Sequence, residues 1–116
     1  MRHRSGNKKL SRAADQRIAM LRSIVQSLFT YGAIKTTEAR AKQAKKIAEK
    51  LITTAKTDTL ASRRQVESFI RNNAVLKSIF SAAKEKYIDR PGGYTRLTKV
   101  GFRRGDNCPV VMLELI

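Results

Sequence analysis

The sequence contains a single cysteine and no long run of apolar residues. Cys108 cannot form a disulfide within the chain, and this composition suits a reducing compartment. No apolar stretch approaches the roughly 18 residues that a membrane-spanning helix needs. The sequence therefore predicts neither a disulfide-rich secreted domain nor an integral membrane protein.

Acidic residues are scarce. The chain of 116 residues has 9 Asp and Glu against 25 Lys and Arg, which gives a formal net charge of +16. So much charge of one sign weakens the compact state by self-repulsion, and a polyanionic partner would relieve it. Nucleic acid is the first candidate for that partner. An acidic membrane surface is the second, but the strand-like stretches at the C-terminal end disfavour a membrane-surface peptide, so we expect no membrane partner. The length fits one domain that needs no disulfide or metal.

The residue sets that carry enzyme chemistry are also missing from the sequence. His3 is the only histidine, and Cys108 has no other histidine to act as its base. The sequence has no CxxC or HExxH pattern for a metal and no GxxxxGK[ST] or GxGxxG pattern for a nucleotide. The sequence therefore predicts a protein that is not an enzyme, with no cofactor, no metal and no small-molecule substrate.

The chain opens with the basic stretch MRHRSGNKKL and has no acid before Asp15. Such a stretch suits the start of an export signal, a membrane-surface anchor or an arm on nucleic acid. The segment behind it is interrupted by polar residues, including Asp15, Arg17 and Arg22, which disfavours an export signal. We interpret residues 1–10 as an extended basic arm and residues 11–116 as one α+β domain, and the sequence of the arm alone does not decide between a membrane-surface anchor and an arm on nucleic acid.

Apolar residues at spacings of three and four predict four helices. The first begins near Ser11, a plausible N-cap, and stops at Gly32. The residues that can cap the later helices are, in order, Thr37, Asp58 or Thr59, and Asn72 or Asn73. The predicted apolar stripes are Ala14, Ile18, Leu21, Val25 and Leu28, then Ala44, Ile47, Ala48, Leu51 and Ala55, then Ala61, Val66, Phe69 and Ile70, and finally Leu76, Ile79, Phe80, Ala83 and Tyr87.

Three stretches have the composition of strands. A short one spans about Ala33–Thr36, Tyr94–Val100 is rich in β-branched and aromatic residues, and Val110–Ile116 is almost continuously apolar. The basic loop GFRRGDN (101–107) joins the last two as a hairpin. The order helix-strand-helix-helix-helix-strand-strand predicts a two-layer α+β fold, in which a small three-stranded mixed sheet packs on helices.

Basic residues form two candidate phosphate-binding features. RPGGYTR (90–96) ends the helical region, and its two arginines suit phosphate; Tyr94 either stacks on a base or packs in the core. The tripeptide RGD (104–106) is interpreted as a turn that presents Arg103 and Arg104. The second helix carries a lysine face that is either solvated or in contact with phosphate, and this face consists of Lys42, Lys45, Lys46 and Lys50.

The cations are spread over the whole chain. A sequence-specific DNA reader usually concentrates its cations on one recognition element. Distributed cations together with an extended arm favour a protein that packs among RNA helices. A small basic architectural protein that binds DNA is the alternative.

Several motifs in fixed order make the chain similar to a known family. They are Met1-Arg2-His3-Arg4, Lys9-Leu10-Ser11-Arg12, IKTTEARAK (34–42), LITTAKTD (51–58), Arg63-Arg64, RPGGYTR (90–96) and GFRRGDN (101–107). Over essentially its whole length the chain resembles ribosomal protein seventeen of the bacterial large subunit. It departs from that family at two positions. Members of the family often have a basic residue where this chain has Ser5, and they place a glycine where this chain has Asn7. Residues 65–86 match only by pattern.

The resemblance implies a structural protein of the large ribosomal subunit that binds rRNA near the exit of the peptide tunnel, beside neighbouring large-subunit proteins. It implies a fold of one helix, one strand, three helices and two strands. It also implies a cytoplasmic ribosome, or an organellar one if the chain is a processed form. The predicted role is to clamp rRNA in support of translation, and the predicted RNA-binding residues are Arg2, His3, Arg4, Lys8, Lys9, Arg12, Arg17, Arg22, Thr36, Thr37, Arg40, Arg63, Arg64, Arg90, Gly92, Gly93, Tyr94, Arg96, Arg103 and Arg104.

Overall fold

The structure is a computed structural model that describes Leu10 and residues 13–116. Seven elements follow one another in the predicted order. They are α1 (Ala14–Tyr31), β1 (Ala33–Thr37), α2 (Glu38–Ala55), α3 (Leu60–Phe69), α4 (Asn73–Glu85), β2 (Thr95–Phe102) and β3 (Pro109–Leu115). The α+β class and the order of the elements are therefore confirmed.

Three helix ends follow the predicted capping residues. Gly32 takes a left-handed conformation with φ 81°, and its N–H donates to the Leu28 carbonyl at 2.8 Å, which ends α1. Thr59 caps α3 in a reciprocal capping box with Ser62. The Asn72 side chain accepts hydrogen bonds from two backbone N–H groups in the first turn of α4. Local side-chain chemistry thus sets the helix boundaries.

The beginnings of α1 and α2 differ from prediction. The N-cap of α1 is Ala13, which has no side-chain acceptor, so the predicted cap at Ser11 is wrong; Ser11 itself lies outside the described residues. Thr37 does occupy the N-cap position of α2, but its side chain makes no capping hydrogen bond. Glu38, in the first turn of α2, has the charge that a helix N-terminus favours.

The sheet is antiparallel throughout, so the predicted mixed sheet is wrong. Its strand order is β1-β3-β2, and β3 runs antiparallel to both of its neighbours. β1 and β2 do point the same way, but β3 returns from the hairpin and lies between them. No pair of adjacent strands among the described residues is therefore parallel.

The two faces of the sheet have different surroundings. Val111 and Leu113 of β3 are buried on the face against which the helices pack, and α2 contacts all three strands. Residues on the other face alternate with them and stay accessible, because side chains in a strand point to opposite sides. Arg96 of β2 and Lys35 of β1 are exposed on this other face. On the central strand β3, Arg96 lies opposite Glu114 and Lys35 lies opposite Met112, two positions earlier.

The core contains the inner part of each predicted stripe. Leu21, Val25 and Leu28 of α1 are buried, whereas Ala14 is exposed and Ile18 is 43% exposed. The first turns of α1 therefore extend beyond the core. Ala61 of α3 is also exposed, and the neighbouring Ser62 is buried in its place because it closes the capping box.

Candidate nucleic-acid interface

The lysine face of α2 lies opposite its buried stripe, as predicted. Ala44, Ala48 and Leu51 are buried against the other elements. Three of the four lysines are exposed and Lys45 is half-buried. Glu38 forms an ion pair with Lys42 at 3.1 Å one turn away.

Tyr94 is a core residue, so of the two alternatives that the sequence left open, packing in the core is the one the structure supports, and stacking of its ring on a base is not. Its ring is 1% exposed and packs edge-on against Tyr87, with ring centroids 5.2 Å apart. The Tyr87 hydroxyl donates to the Ile116 carbonyl at 2.9 Å, and the Ile116 N–H donates to the Tyr94 carbonyl at 2.9 Å. The Tyr87 side chain and the Tyr94 backbone therefore join the end of α4 and the turn before β2 to the end of β3.

Lys56, which the sequence did not single out, organises the same turn from the end of α2. Its Nζ donates to the Arg90 carbonyl and, at 3.0 Å, to the Tyr94 hydroxyl, and it lies 5.2 Å from the centre of the Tyr94 ring. The Tyr94 hydroxyl in turn donates to the Arg90 carbonyl at 3.0 Å. Because Lys56 donates a hydrogen bond to it, the pKa of the Tyr94 hydroxyl is lowered.

The arginines of RPGGYTR are displayed on the surface by this buried anchor. Arg90 is exposed and its guanidinium donates to the Gly93 carbonyl at 3.4 Å, and Gly93 adopts φ 64°. Arg96 is exposed and lies 3.8 Å from Glu114 on the neighbouring strand. Gly92 and Gly93 have open space where a Cβ would stand, so a large ligand can approach this backbone. Contact with RNA here stays a prediction.

The hairpin loop between β2 and β3 is held by Asp106. Its carboxylate accepts two hydrogen bonds from the Arg103 guanidinium, at 3.2 and 2.6 Å, and one from the Cys108 N–H at 3.2 Å. The Arg103 N–H donates to the Cys108 carbonyl at 2.9 Å, which closes the loop. Arg104 is exposed at its tip. The RGD sequence is thus a structural turn whose acid serves its own loop.

We expect the Asp106 carboxyl to titrate well below an ordinary aspartate. Hydrogen bonds from Arg103, and then from the Cys108 N–H, lower its pKa from 3.8 to about 2. Because the pKa is lower in the folded state than in the unfolded state, the ionised carboxylate stabilises the folded loop at pH values above the ordinary pKa of about 4. This stabilisation is lost as the pH falls through about 2. NMR titration of the carboxyl carbon should show that midpoint in the wild type and in Arg104→Gln. Arg103→Gln should return it toward about 4, and a wild-type midpoint near 4 would contradict the ion pair.

Two of the predicted RNA-binding arginines contact aromatic rings of the protein itself; Arg22 is half-buried and Arg63 is exposed. The Arg22 guanidinium lies 5.4 Å from the centre of the Phe69 ring and donates to the Ser68 carbonyl at 3.5 Å, so it joins α1 to α3. Its Nε is buried without a hydrogen-bond partner in the described part of the chain. Arg63 donates to the Asp58 carboxylate at 2.9 Å and lies 5.3 Å from the Phe80 ring centre. These aromatic contacts were not predicted.

The remaining predicted residues fall into two groups. Arg64 is exposed on α3, while Arg17, Thr36, Thr37 and Arg40 are half-buried on α1 and around the beginning of α2. The predicted residues that lie outside the described part of the chain are Arg2, His3, Arg4, Lys8, Lys9 and Arg12.

Charge is strongly unbalanced over the described residues. All 9 acids lie in this range, against all but five of the 25 Lys and Arg residues. Ion pairs occupy four of the acids, with Lys42, Arg63, Lys84, Arg96 and Arg103 as partners. Cations outnumber acids by more than two to one, so a positive surface remains after this pairing, as in proteins that bind nucleic acid.

Comparison with known proteins identifies the family of the chain. The profile of the ribosomal protein L17 family matches residues 20–116. The chain belongs to the ribosomal protein L17 family. Large ribosomal subunit protein bL17 of Clostridium botulinum (strain Loch Maree / Type A3) is 53% identical over 112 residues, which cover 97% of this chain and 99% of that protein.

Two further members of the L17 family extend the match to the whole chain. Large ribosomal subunit protein bL17 of Desulforapulum autotrophicum is 48% identical over 116 residues, covering 100% of this chain and 97% of that protein. The bL17 protein of Syntrophus aciditrophicus is 45% identical over 116 residues, covering 100% of this chain and 93% of that protein. The match therefore includes the residues at both ends of the chain.

Membership of the L17 family confirms the resemblance that the motifs predicted. The chain is a ribosomal protein of the large-subunit type and not an enzyme. Within Leu10 and residues 13–116, no group of three or more His, Cys, Asp or Glu side chains is placed to hold a metal ion. No helix in those same ranges combines the length and the apolar character needed to cross a membrane.

Proposed function

We propose that the protein is a structural constituent of the large ribosomal subunit that binds and clamps large-subunit rRNA near the exit of the peptide tunnel. The observation that carries the proposal is the excess of cations on a folded scaffold, in a chain of the L17 family. Neutralising phosphates relieves the self-repulsion of this charge and releases counterions from the RNA. The role is architectural, and no chemical step is involved.

The two ends of β2 form separate contact regions in this proposal. Arg90 and Arg96 lie at one end, beside the turn that Lys56 and Tyr94 anchor. Arg103 and Arg104 lie in the loop at the other end, and the rise along a strand separates the two regions by roughly 20 Å. This separation lets each region bind a different phosphate group, so one rigid strand can hold two RNA segments apart.

The helical side adds a third region around the beginning of α2. Thr36, Thr37 and Arg40 lie there, where the N–H groups of the first helical turn favour an anion. Arg17 on α1 and Arg64 on α3 are further proposed contacts. Arg22 and Arg63 are also proposed contacts, and in the folded protein their guanidinium groups lie over aromatic rings.

We propose residues 1–10 as an RNA-binding arm of a domain that spans residues 11–116. Its contribution is argued from charge, since Arg2, Arg4, Lys8 and Lys9 lie within eight positions and no acid precedes Asp15. The proposed partners are large-subunit rRNA and neighbouring large-subunit proteins. The proposed location is the ribosome, in the cytoplasm or, for a processed form, in an organelle.

The salt dependence of RNA binding tests the proposal. If about eight phosphates of irregular RNA are bound, a plot of log K against log salt should have a slope of about −6. Binding of the full chain to deproteinised bacterial large-subunit rRNA, measured by filter retention at several salt concentrations, gives this slope. A flat plot, or equal competition by duplex DNA, would contradict rRNA binding.

Single cation variants serve as the internal control for this measurement. Arg104→Gln should reduce the steepness of the slope by about 0.7, the contribution of one contact to single-stranded RNA. Lys77→Gln removes an exposed lysine of α4 that has no proposed contact and should leave the slope unchanged. Equal effects of the two substitutions would indicate a response to net charge alone.

A further inference from the structure

A β-bulge in β2 changes the direction of the side chains that follow it. The register with β3 passes from Lys99 opposite Val111 to Gly101 opposite Val110, so Val100 is an inserted residue. Gly101 has φ 152°, a conformation that side-chain-bearing residues rarely adopt. Without the insertion, the alternation of the strand would place the next residue, Phe102, on the outer face of the sheet.

The bulge instead places Phe102 on the face against which the helices pack. It lies opposite Pro109, in the same alternation as the buried Val111, yet it is 68% exposed. It borders an open groove of about 130 Å³ whose lining includes Lys99 on its own strand and Glu38 at the beginning of α2. Phe102 therefore projects over the start of α2 instead of entering the core.

The groove beside this exposed ring contains one cation, and two more follow the ring in the chain. Lys99 is exposed and shares the groove, and Arg104 is exposed two residues further along the chain. Arg103, next to the ring in the chain, donates two hydrogen bonds to Asp106 within the loop. The one acid of the groove, Glu38, is paired with Lys42 at 3.1 Å. A polyanion therefore suits this site better than an acidic or apolar protein surface does.

Exposure of a single apolar side chain would by itself mean little, since such residues are common on protein surfaces. Here a bulge and a positive-φ glycine turn an aromatic ring toward a groove that Lys99 lines, beside a loop that carries Arg103 and Arg104. Aromatic rings beside basic residues bind single-stranded nucleic acid by stacking on its bases, while the cations bind the backbone.

We infer that Phe102 is a stacking platform for an unpaired base of RNA, with Lys99 and Arg104 bound to the phosphates on either side of that base. The inference rests on the proposed function, because it requires that the chain bind RNA. It assigns to Phe102 the role that the sequence had suggested for Tyr94, whose ring is buried.

The test compares Phe102→Ala with Phe102→Trp, which keeps an aromatic face. With deproteinised bacterial large-subunit rRNA as the probe, we expect Phe102→Ala to weaken binding about tenfold or more and Phe102→Trp to stay within about threefold of the wild type. Stacking is not ionic, so the salt slope should be unchanged in Phe102→Ala. Its melting temperature should also be unchanged, because the ring is mostly exposed.

Tyr31→Ala is the matched control. Tyr31 is 76% exposed at the end of α1, at the opposite end of the sheet from Phe102, and it should affect RNA binding by less than about twofold. Equal losses in the Phe102 and Tyr31 variants would overturn the inference. Ultraviolet crosslinking provides a direct readout, since the tryptic peptide of residues 100–103 should carry a nucleotide adduct.

The remaining outcomes separate the inference from the function on which it rests. Wild-type binding with a steep salt slope and an unchanged affinity in Phe102→Ala would overturn the stacking role alone. Wild-type binding without salt dependence would overturn the proposed function itself. If Phe102→Ala bound rRNA normally but failed to join large subunits, the ring would contact a protein, and the inference would be wrong.

Discussion

Replacing Tyr94 by alanine should lower the free energy of unfolding by about 3–5 kcal/mol, as for other buried aromatic residues. The ring is 1% exposed, packs on Tyr87 and lies beside the Lys56 ammonium, so its removal leaves a cavity at the junction of three segments. Small domains are stable by only about 5–15 kcal/mol, so this variant should be largely unfolded under mild denaturing conditions. Equilibrium unfolding in urea, followed by circular dichroism, measures the loss.

Two other tyrosine substitutions separate packing from RNA contact. Tyr94→Phe keeps the ring but removes the hydroxyl that donates to the Arg90 carbonyl, and it should cost about 1–2 kcal/mol. Tyr31→Ala removes a ring that is 76% exposed and should change stability by less than about 0.5 kcal/mol. If Tyr94→Ala kept its stability and lost only RNA affinity, Tyr94 would have to contact RNA, contrary to its position in the core.

The buried position of Tyr94 shows which features of the fold can be predicted from neighbouring residues in the sequence and which cannot. Helix order followed from apolar periodicity, and helix ends followed from single residues such as Gly32, Thr59 and Asn72. These signals act over a few neighbouring residues. The burial of Tyr94 depends on Lys56, which is 38 positions away, and on the end of β3, so no local pattern reports it.

Local sequence patterns predicted one of the two strand pairings but not the other. The hairpin of β2 and β3 was predictable because a short loop joins the two strands. The place of β1 was not, because three helices separate it from its partner β3. The bulge at Lys99 and Gly101 also left no clear signal, and it decides on which face Phe102 lies.

The sequence predicted which basic residues lie on the surface better than it predicted which groups they contact. Arg90, Arg96 and Arg104 are exposed as the turn and hairpin signals suggested. Arg22 and Arg63 are drawn onto Phe69 and Phe80 instead, because an arginine can pack its planar guanidinium on an aromatic face when the fold brings one close. Charge patterning alone therefore does not show which cations also make contacts within the protein.

Deleting residues 2–9 should weaken rRNA binding by several hundredfold at about 0.1 M salt. The deletion removes four cations, and each contact to irregular RNA contributes about 0.7 to the steepness of the salt plot, so the slope should flatten by about 3. The buried core is built from side chains at position 21 and beyond, with Leu10 packed against it. Circular dichroism and the melting temperature should therefore stay close to those of the full chain.

A variant of the same length with neutral side chains distinguishes the effect of the positive charges from the effect of removing the segment itself. Changing Arg2, Arg4, Lys8 and Lys9 together to glutamine should reproduce most of the loss of affinity and most of the change in slope, because the phosphates respond to the cations. If this variant bound like the wild type while the deletion did not, hydrogen bonds or shape would carry the contact. If the deletion unfolded the protein, residues 2–9 would belong to the folded domain, and their interpretation as an RNA-binding arm would be wrong.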